Sequence, residues 1–180
     1  MGKWLLWFGL FSLPAQAVHE DFLLPFLDPN HALPTLSEWQ ESHQWLECAE
    51  ESDQLRWCSD EFYYYSTLVW ASIRFMNEQP VMLVLHLTYS AHDWSQLQLA
   101  LRRDGFQVDR VQIAEAIFSV DDQRNDKTSS DVDRQLILFL NHHAHRFPKR
   151  QQWSMSGRHV ELLTDGKDIE VRWLTVIDND

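Results

Sequence analysis

The chain has 180 residues and a formal net charge of −12 at pH 7, because 27 Asp and Glu residues outnumber 15 Lys and Arg residues. Nucleic acids and anionic membrane surfaces attract basic protein surfaces, so this charge argues against both as binding partners. No sequence motif identifies a reaction or a cofactor. We therefore expect a protein that is not an enzyme and that binds neither a cofactor nor a metal ion.

The first 17 residues have the pattern of a secretory signal peptide. Lys3 gives a positive start, residues 4–13 are mostly apolar, and Ala15 and Ala17 are the small residues that precede a cleavage site. The apolar stretch is shorter than the roughly 20 residues of a membrane-spanning helix. We expect cleavage near Ala17 and a mature chain, residues 18–180, that is exported to the periplasm or secreted and is not inserted in a membrane.

Cys48 and Cys58 are the only cysteines of the chain. In an oxidising compartment two cysteines are expected to pair, whereas in the cytosol they would indicate a metal or catalytic site. Zinc needs four ligands, and the chain has no second cysteine pair to supply them. We therefore predict a disulfide that closes a short loop and stabilises the fold by about 2–3 kcal/mol.

Two helices are predicted before the first strand. Thr35 and Glu38 have the pattern of a capping box, in which side chains bind the free N–H groups at a helix start. The apolar spacing that follows predicts a helix over residues 36–50, with Cys48 in its last turn. Residues 60–77 fit a second helix, although their β-branched and aromatic content also suits a strand. The disulfide would then link the two helices.

The rest of the chain predicts a sheet with helices between its strands. Residues 81–89 are an apolar run, typical of a strand buried on both faces. Asp165 and Gly166 favour the tight turn of a hairpin. The elements expected between them are a helix at 94–104 capped by Asp93 and ended by Gly105, a segment at 106–120 that contains a strand whose end is open, and a helix at 131–147. We predict one α+β domain, with two disulfide-linked N-terminal helices followed by β-α-β-α-β-β and a C-terminal hairpin.

One segment carries residue types that catalysis uses. It follows the predicted buried strand and contains His86, Tyr89, Ser90, His92 and Asp93. A histidine held by an aspartate can act as a base for a serine. No Gly-x-Ser-x-Gly motif is present, however, and a helix cap already explains Asp93. A small periplasmic hydrolase that uses residues 86–93 therefore remains an alternative function.

His142 and His145 are the candidate metal ligands. Three residues apart on a predicted helix, they share a face and can chelate zinc or copper. No His-Glu-x-x-His motif supplies further ligands, and positive residues at a helix C-terminus also suit the helix dipole. We expect no metal site here.

The disulfide segment is the candidate surface for binding another protein, which we expect to be basic. Charge complementarity raises the association rate, and aromatic anchors set the lifetime of a complex. The disulfide would order the segment before binding and lower the entropy lost. The same residues also fit a stabilising loop with solvated charges. The candidate partner-binding residues are Glu47, Glu50, Glu51, Asp53, Trp57, Asp60 and Glu61.

The function that these patterns favour is an exported acidic module that neutralises or regulates another protein. Its most concrete form is a periplasmic immunity or inhibitor protein against a secreted effector or a wall-degrading enzyme. An envelope assembly or scaffold factor would have the same sequence features and is a further alternative.

Overall fold

The structure is a computed structural model that describes residues 21–28, 30–41, 45–48 and 56–174. Some predicted features lie outside these residues: the signal peptide at 1–17, the mature start at 18, and Glu50, Glu51 and Asp53. No helix in the described part of the chain is long and apolar enough to cross a membrane.

Helices and strands are both present, and strands dominate. The helices, after a 3-10 turn at Asp21–Leu23, are α1 (Leu24–Leu27), α2 (Leu36–Glu41), α3 (Ala91–Arg103), α4 (Val120–Arg124) and α5 (Ser129–His142). The strands are β1 (Trp45–Glu47), β2 (Arg56–Ser59), β3 (Phe62–Tyr64), β4 (Thr67–Met76), β5 (Gln79–Thr88), β6 (Gln107–Ile113), β7 (Ala116–Ser119), β8 (Lys149–Met155), β9 (Arg158–Thr164) and β10 (Asp168–Leu174).

The described strands form one antiparallel sheet in the order β1-β2-β4-β5-β10-β9-β8-β6-β7, and β3 pairs with the start of β4. Short turns join β4 to β5, β6 to β7, β8 to β9 and β9 to β10. In the turn between β4 and β5, Asn77 and Glu78 both have positive φ, 51° and 65°, as a two-residue hairpin turn requires. Helix α3 carries the chain from β5 to β6, past the positions that β8, β9 and β10 occupy.

The two faces of the sheet differ. On the helix face, Leu97 and Leu101 of α3 are fully buried in one core with Leu85, Val160 and Val171. The opposite face, here called the open face, carries side chains that belong to neither hydrophobic cluster of the described residues. The open face includes Trp70, Ser72, Val84, His86, Arg150, Gln152, Glu161, Leu163, Glu170 and Arg172.

The second predicted N-terminal helix is wrong, because residues 60–77 contain β3, a turn and β4. In β4, Val69, Ala71 and Ile73 are buried on the helix face, which is the two-residue period of a strand. Asn77, which would end a helix, lies in the hairpin turn instead. The chain therefore forms strands here, as its aromatic and β-branched residues favour.

The first predicted helix is too long. Helix α2 ends at Glu41, and Cys48 follows β1 rather than lying in a helical turn. Trp45 of β1 packs edge-to-face on Trp39 of α2, with ring centroids 4.6 Å apart. The apolar spacing that predicts one long helix therefore comes from a short helix and a strand that pack on each other. The predicted disulfide is confirmed, but it joins Cys48 to Cys58 of β2 across adjacent strands, not across two helices.

The helix starts follow capping rules. Glu38 accepts hydrogen bonds from the backbone N–H and the hydroxyl of Thr35, at 2.7 and 3.0 Å, as the capping box predicts. Helix α3 starts earlier than expected. Its cap is Ser90, whose hydroxyl accepts the N–H of Asp93 at 2.9 Å, so the prediction of Asp93 as the cap is wrong. Gly105 follows the helix with φ +95°, as expected of a residue that ends one.

The second half of the sheet is larger than predicted. Residues 106–120 hold a hairpin, β6 and β7, joined by Ala114 and Glu115. Strand β8 was not predicted at all, and α5 ends at His142 rather than at residue 147. The strands around Asp165 and Gly166 are confirmed as the hairpin of β9 and β10.

Candidate functional site

A row of cross-strand neighbours runs over the open face. Residues directly opposite each other in antiparallel strands lie on the same face, where their side chains meet. Each residue of the row is paired with the next one on the adjacent strand. From β4 to β6 the row reads Trp70, His86, Glu170, Leu163, Arg150 and Gln112.

His86 is the centre of the polar contacts in this row. Its ring stacks on Trp70, with centroids 4.0 Å apart and planes at 15°. Its Nε2 lies 2.8 Å from the Ser72 hydroxyl, and its Nδ1 lies 3.8 Å from a carboxylate oxygen of Glu170. Each ring nitrogen of His86 is thus directed to a different neighbouring strand.

Burial lowers the pKa of His86 to about 4. The nearby charge of Glu170 raises the pKa, while the charges of Arg56 and Arg172 lower it. Burial is the largest of these effects because the charged imidazolium loses its hydration on this part of the sheet. His86 is therefore neutral at physiological pH, and the charge of the row comes from its carboxylates and arginines.

Glu170 is held from two sides. The guanidinium of Arg172, two residues along β10, donates to its Oε2 from Nε at 2.7 Å and from a terminal nitrogen as well. His86 lies on its other side. The charge-assisted hydrogen bonds from Arg172 fix the orientation of the Glu170 carboxylate.

A cavity of about 400 Å³ opens beside this row. Its polar wall has three carboxylates, those of Glu61, Asp168 and Glu170, and its apolar wall has Leu68 and Trp70. Because Glu170 already binds Arg172, Glu61 and Asp168 are the carboxylates with no cationic partner among the described residues. The cavity is therefore suited to hold a positively charged group.

Exposed apolar side chains lie at the rim of this cavity. Leu68 is 44% exposed, and Tyr63, its partner on β3, is 64% exposed. Apolar side chains next to charged groups are characteristic of surfaces that bind other proteins. The cavity and its rim are called the acidic cavity below.

The predicted partner-binding residues are only partly brought together. Glu47 and Trp57 oppose each other on β1 and β2, and the half-buried Trp57 packs against the core on the helix face. Asp60 and Glu61 are exposed between β2 and β3, and Glu61 is the member of the predicted set that lines the acidic cavity. Of the described predicted residues, therefore, one contributes to the site.

The other residues of the acidic cavity were missed because they come from distant strands. Trp70 and Glu170 are about a hundred positions apart in the sequence, and only the sheet order places β4, β5 and β10 side by side. The alternation of β10, in which Glu170 and Arg172 alternate with buried Ile169, Val171 and Trp173, was the available signal. It indicates a polar face, but it does not indicate which strands complete that face.

The residues of the catalytic alternative are separated. His86 lies on the open face, whereas Asp93 accepts a hydrogen bond from the Ser90 hydroxyl at 2.6 Å at the start of α3. His92 is exposed in the first turn of α3. The groups that do meet are Ser72, His86 and Glu170, in the order of a nucleophile, a base and an orienting carboxylate.

Two features of Ser72 oppose a nucleophilic role. Its side chain is 3% exposed, and it does not line the cavity beside His86. It also lies in the middle of β4, between β2 and β5, where the strand ladders use the backbone N–H groups that an oxyanion hole needs. The contact fits a hydrogen bond that satisfies two polar groups.

The candidate metal ligands, His142 and His145, do not share a helix face. Helix α5 ends at His142, so His145 lies beyond its last turn. In the described part of the chain, no group of three or more His, Cys, Asp or Glu side chains is placed to hold a metal ion.

Comparisons with known proteins assign no family to the chain. No family model, no curated protein and no solved structure matches it. Geometry and charge are therefore the grounds for a functional proposal.

Proposed function

We propose that the chain is an exported protein-binding module that neutralises or regulates another protein. In its most concrete form it is a periplasmic immunity or inhibitor protein against a secreted effector or a wall-degrading enzyme. The acidic cavity supports this proposal, because it combines uncompensated carboxylates with exposed apolar side chains on the open face. The disulfide fits an oxidising compartment.

The partner group that fits the acidic cavity is an arginine or lysine side chain. Glu61 and Asp168 supply the negative charge, and Trp70 supplies an apolar wall for the aliphatic part of such a side chain. Exposed Leu68 and Tyr63 would then exclude water around the ion pair. The acidic balance of the whole chain would also speed the approach of a basic partner.

The test is a capture experiment with the mature chain, disulfide intact, against envelope and secreted proteins of its own cell type. We expect one dominant partner that is released by salt, because salt screens the ion pairs. The double charge reversal E61K/D168K should remove that partner. The matched control is D121K/D122K, which reverses the same number of charges on exposed residues of α4.

Two results would contradict the proposal. One is a partner that binds both double variants equally, which would place the contact elsewhere on the surface. The other is the absence of any salt-sensitive partner. A captured protein that belongs to an envelope assembly would instead favour the scaffold alternative, which shares this surface.

A second candidate function is ester or amide hydrolysis by Ser72, supported by the contacts of His86 with Ser72 and Glu170. Because Ser72 is buried, strand β4 would have to move to expose its hydroxyl. Hydrolysis of p-nitrophenyl acetate by the folded wild type, lost in S72A, would favour this candidate. Equal rates for the two proteins would exclude it for that substrate class.

A further inference from the structure

A second cavity lies on the helix face, on the opposite side of the sheet from the acidic cavity. It has a volume of about 440 Å³, within the range of roughly 300–1,000 Å³ that is typical of small-ligand pockets. Helices α3 and α5 form its sides, and strands β6 and β8 contribute to its floor. Among its lining residues are Tyr89, Trp94, Gln98, Leu140, Phe147 and Lys149.

Lys149 places a cation in this cleft. The first residue of β8, it is 7% exposed, and burial lowers its pKa. Its Nζ donates to the carbonyl of Ala144 at 2.6 Å and lies 4.7 Å from the ring centre of Phe147 and 5.9 Å from that of Trp94. Aromatic faces favour the charged ammonium at such distances.

The ammonium group of Lys149 has more donors than the described residues use. The ammonium group has three N–H bonds, and within the described part of the chain one of them donates a hydrogen bond, to the carbonyl of Ala144. No carboxylate of the described residues forms an ion pair with it. A buried cation without an anion is unfavourable, so a negatively charged group in the cleft would stabilise Lys149.

A second polar side chain beside Lys149 is also incompletely satisfied. Gln151, two residues along β8 on the same face, is 2% exposed and donates from Nε2 to Gln98 of α3 at 3.2 Å. Its Oε1 is buried and has no partner among the described residues. A structural tie between α5 and the sheet accounts for the contact with Ala144, but it does not account for the remaining N–H bonds of Lys149. The Gln151 oxygen is an acceptor, so it makes no hydrogen bond to an anion in the cleft.

We propose that this cleft binds a small organic carboxylate with an apolar body. The carboxylate accepts hydrogen bonds from Lys149, and the apolar body lies against Trp94, Phe147 and Leu140. Phe147 also packs edge-to-face on Tyr89, with centroids 5.2 Å apart, which holds the aromatic wall in place. A long-chain lipid is too large for this volume, and a bare inorganic anion would leave the apolar walls in water.

The test uses 3-phenylpropanoate as the probe, titrated into the full mature chain and followed by amide chemical shifts in NMR spectra. Saturable shifts are expected at residues of the cleft, with a Kd in the range of about 0.1–1 mM. The neutral analogue 3-phenylpropanamide has the same body without the charge. It should bind about tenfold more weakly or worse.

Three variants separate a ligand site from a structural lysine. K149M should weaken binding of 3-phenylpropanoate at least about tenfold, and K127M, at an exposed lysine before the other end of α5, should not. S95W keeps Lys149 but places an indole in the cleft from an exposed position of α3, so it should abolish binding while the protein stays folded. S95W therefore keeps the test decisive if K149M does not fold.

The proposal is overturned by any of three results. The first is that the wild type binds the acid and the amide equally well. The second is that S95W binds 3-phenylpropanoate with the affinity of the wild type. The third is that no saturable shift occurs up to about 10 mM 3-phenylpropanoate, since the Kd would then be too weak for a specific site. Because the acidic cavity lies on the opposite face, none of these results bears on the protein-binding proposal.

Discussion

His86 makes the stability of the protein depend on pH in a defined window. Its pKa is about 4 in the folded chain, against an ordinary value of 6.5, which is expected to hold in the unfolded chain. Between these two values the unfolded chain binds the proton more readily, so acid favours unfolding. This contribution to the free energy of unfolding is fully present above about pH 6.5 and is lost as the pH falls toward about 4.

The size of this effect follows from the two pKa values. A difference of about 2.5 pKa units corresponds to about 3 kcal/mol over the whole window, of which about 2 kcal/mol is lost between about pH 7.5 and pH 5. Asp28, Glu38 and Asp165 also have lowered pKa values, through the hydrogen bonds that their carboxylates accept. Their contribution is lost at lower pH, as the solution approaches the pKa of an ordinary carboxyl group.

The measurement is urea unfolding of the wild type and of H86Q at several pH values from about 7.5 to about 5. Glutamine keeps a polar group near the Ser72 hydroxyl but has no titrating proton. As the pH is lowered from about 7.5 to about 5, the free energy of unfolding decreases in both proteins. The decrease should be about 2 kcal/mol smaller in H86Q than in the wild type. H92Q makes the same exchange at an exposed position and measures the effect of the substitution itself.

Equal pH dependence in the wild type and H86Q would refute this reasoning. The same conclusion would follow from an NMR titration in which the His86 ring takes up its proton near pH 6.5. Either result would mean that the stack on Trp70 and the contact with Glu170 compensate for burial in the folded chain.

Two further predictions concern stability. Tyr64 and Tyr65 both donate hydrogen bonds to the carboxylate of Asp104, which follows α3. The substitution D104N should therefore lower the free energy of unfolding by about 2 kcal/mol. A loss below about 0.5 kcal/mol would show that the negative charge of Asp104 is not needed. The Cys48–Cys58 disulfide closes a loop with a sequence separation of 10. The C48A/C58A variant should therefore be less stable by about 3 kcal/mol, and an unchanged urea midpoint would contradict this.

The features that the sequence predicts correctly depend on neighbouring residues. Asp165 and Gly166 lie in the turn of the β9–β10 hairpin, and Gly105 has the positive φ of a residue after a helix. In β5, Met82, Leu83, Val84 and Leu85 are all buried, as the apolar run predicts, although Val84 lies on the open face. Each of these signals lies within a few residues, so it is readable without knowledge of the tertiary structure.

Strand β4 was misread because both of its faces carry apolar residues. Val69 and Ala71 pack in the core, while Leu68 and Trp70 on the open face line the acidic cavity. An apolar open face removes the alternation that identifies a half-buried strand, and the remaining spacing fits a helix equally well. Leu68 and Trp70, which make the strand difficult to recognise in the sequence, are therefore also residues of the proposed protein-binding surface.

Strand β8 was missed for the opposite reason. Its buried face carries Lys149 and Gln151 next to Trp153, so the side that should be apolar reads as polar. These two residues are the ones that give the second cleft its unused donors and acceptor. A polar residue that is buried at a core position weakens the local fit of sequence to structure, and such conflicts are expected where a site is built.

The two errors therefore have a common physical cause. A strand that only stabilises this sheet would show apolar residues toward the helices and polar residues toward water. β4 departs from this pattern because it carries apolar residues on the open face, and β8 departs from it because it carries polar residues on the helix face. In each strand the exceptional residues line a cavity, of about 400 Å³ beside β4 and about 440 Å³ beside β8. Because both strands are anchored in the core through Ile73 and Trp153, 0% and 2% exposed, the side chains of both cavities are presented on a rigid support. Rigid presentation lowers the entropy lost on binding, so the positions where the strand pattern fails are also well placed to bind a ligand or a partner.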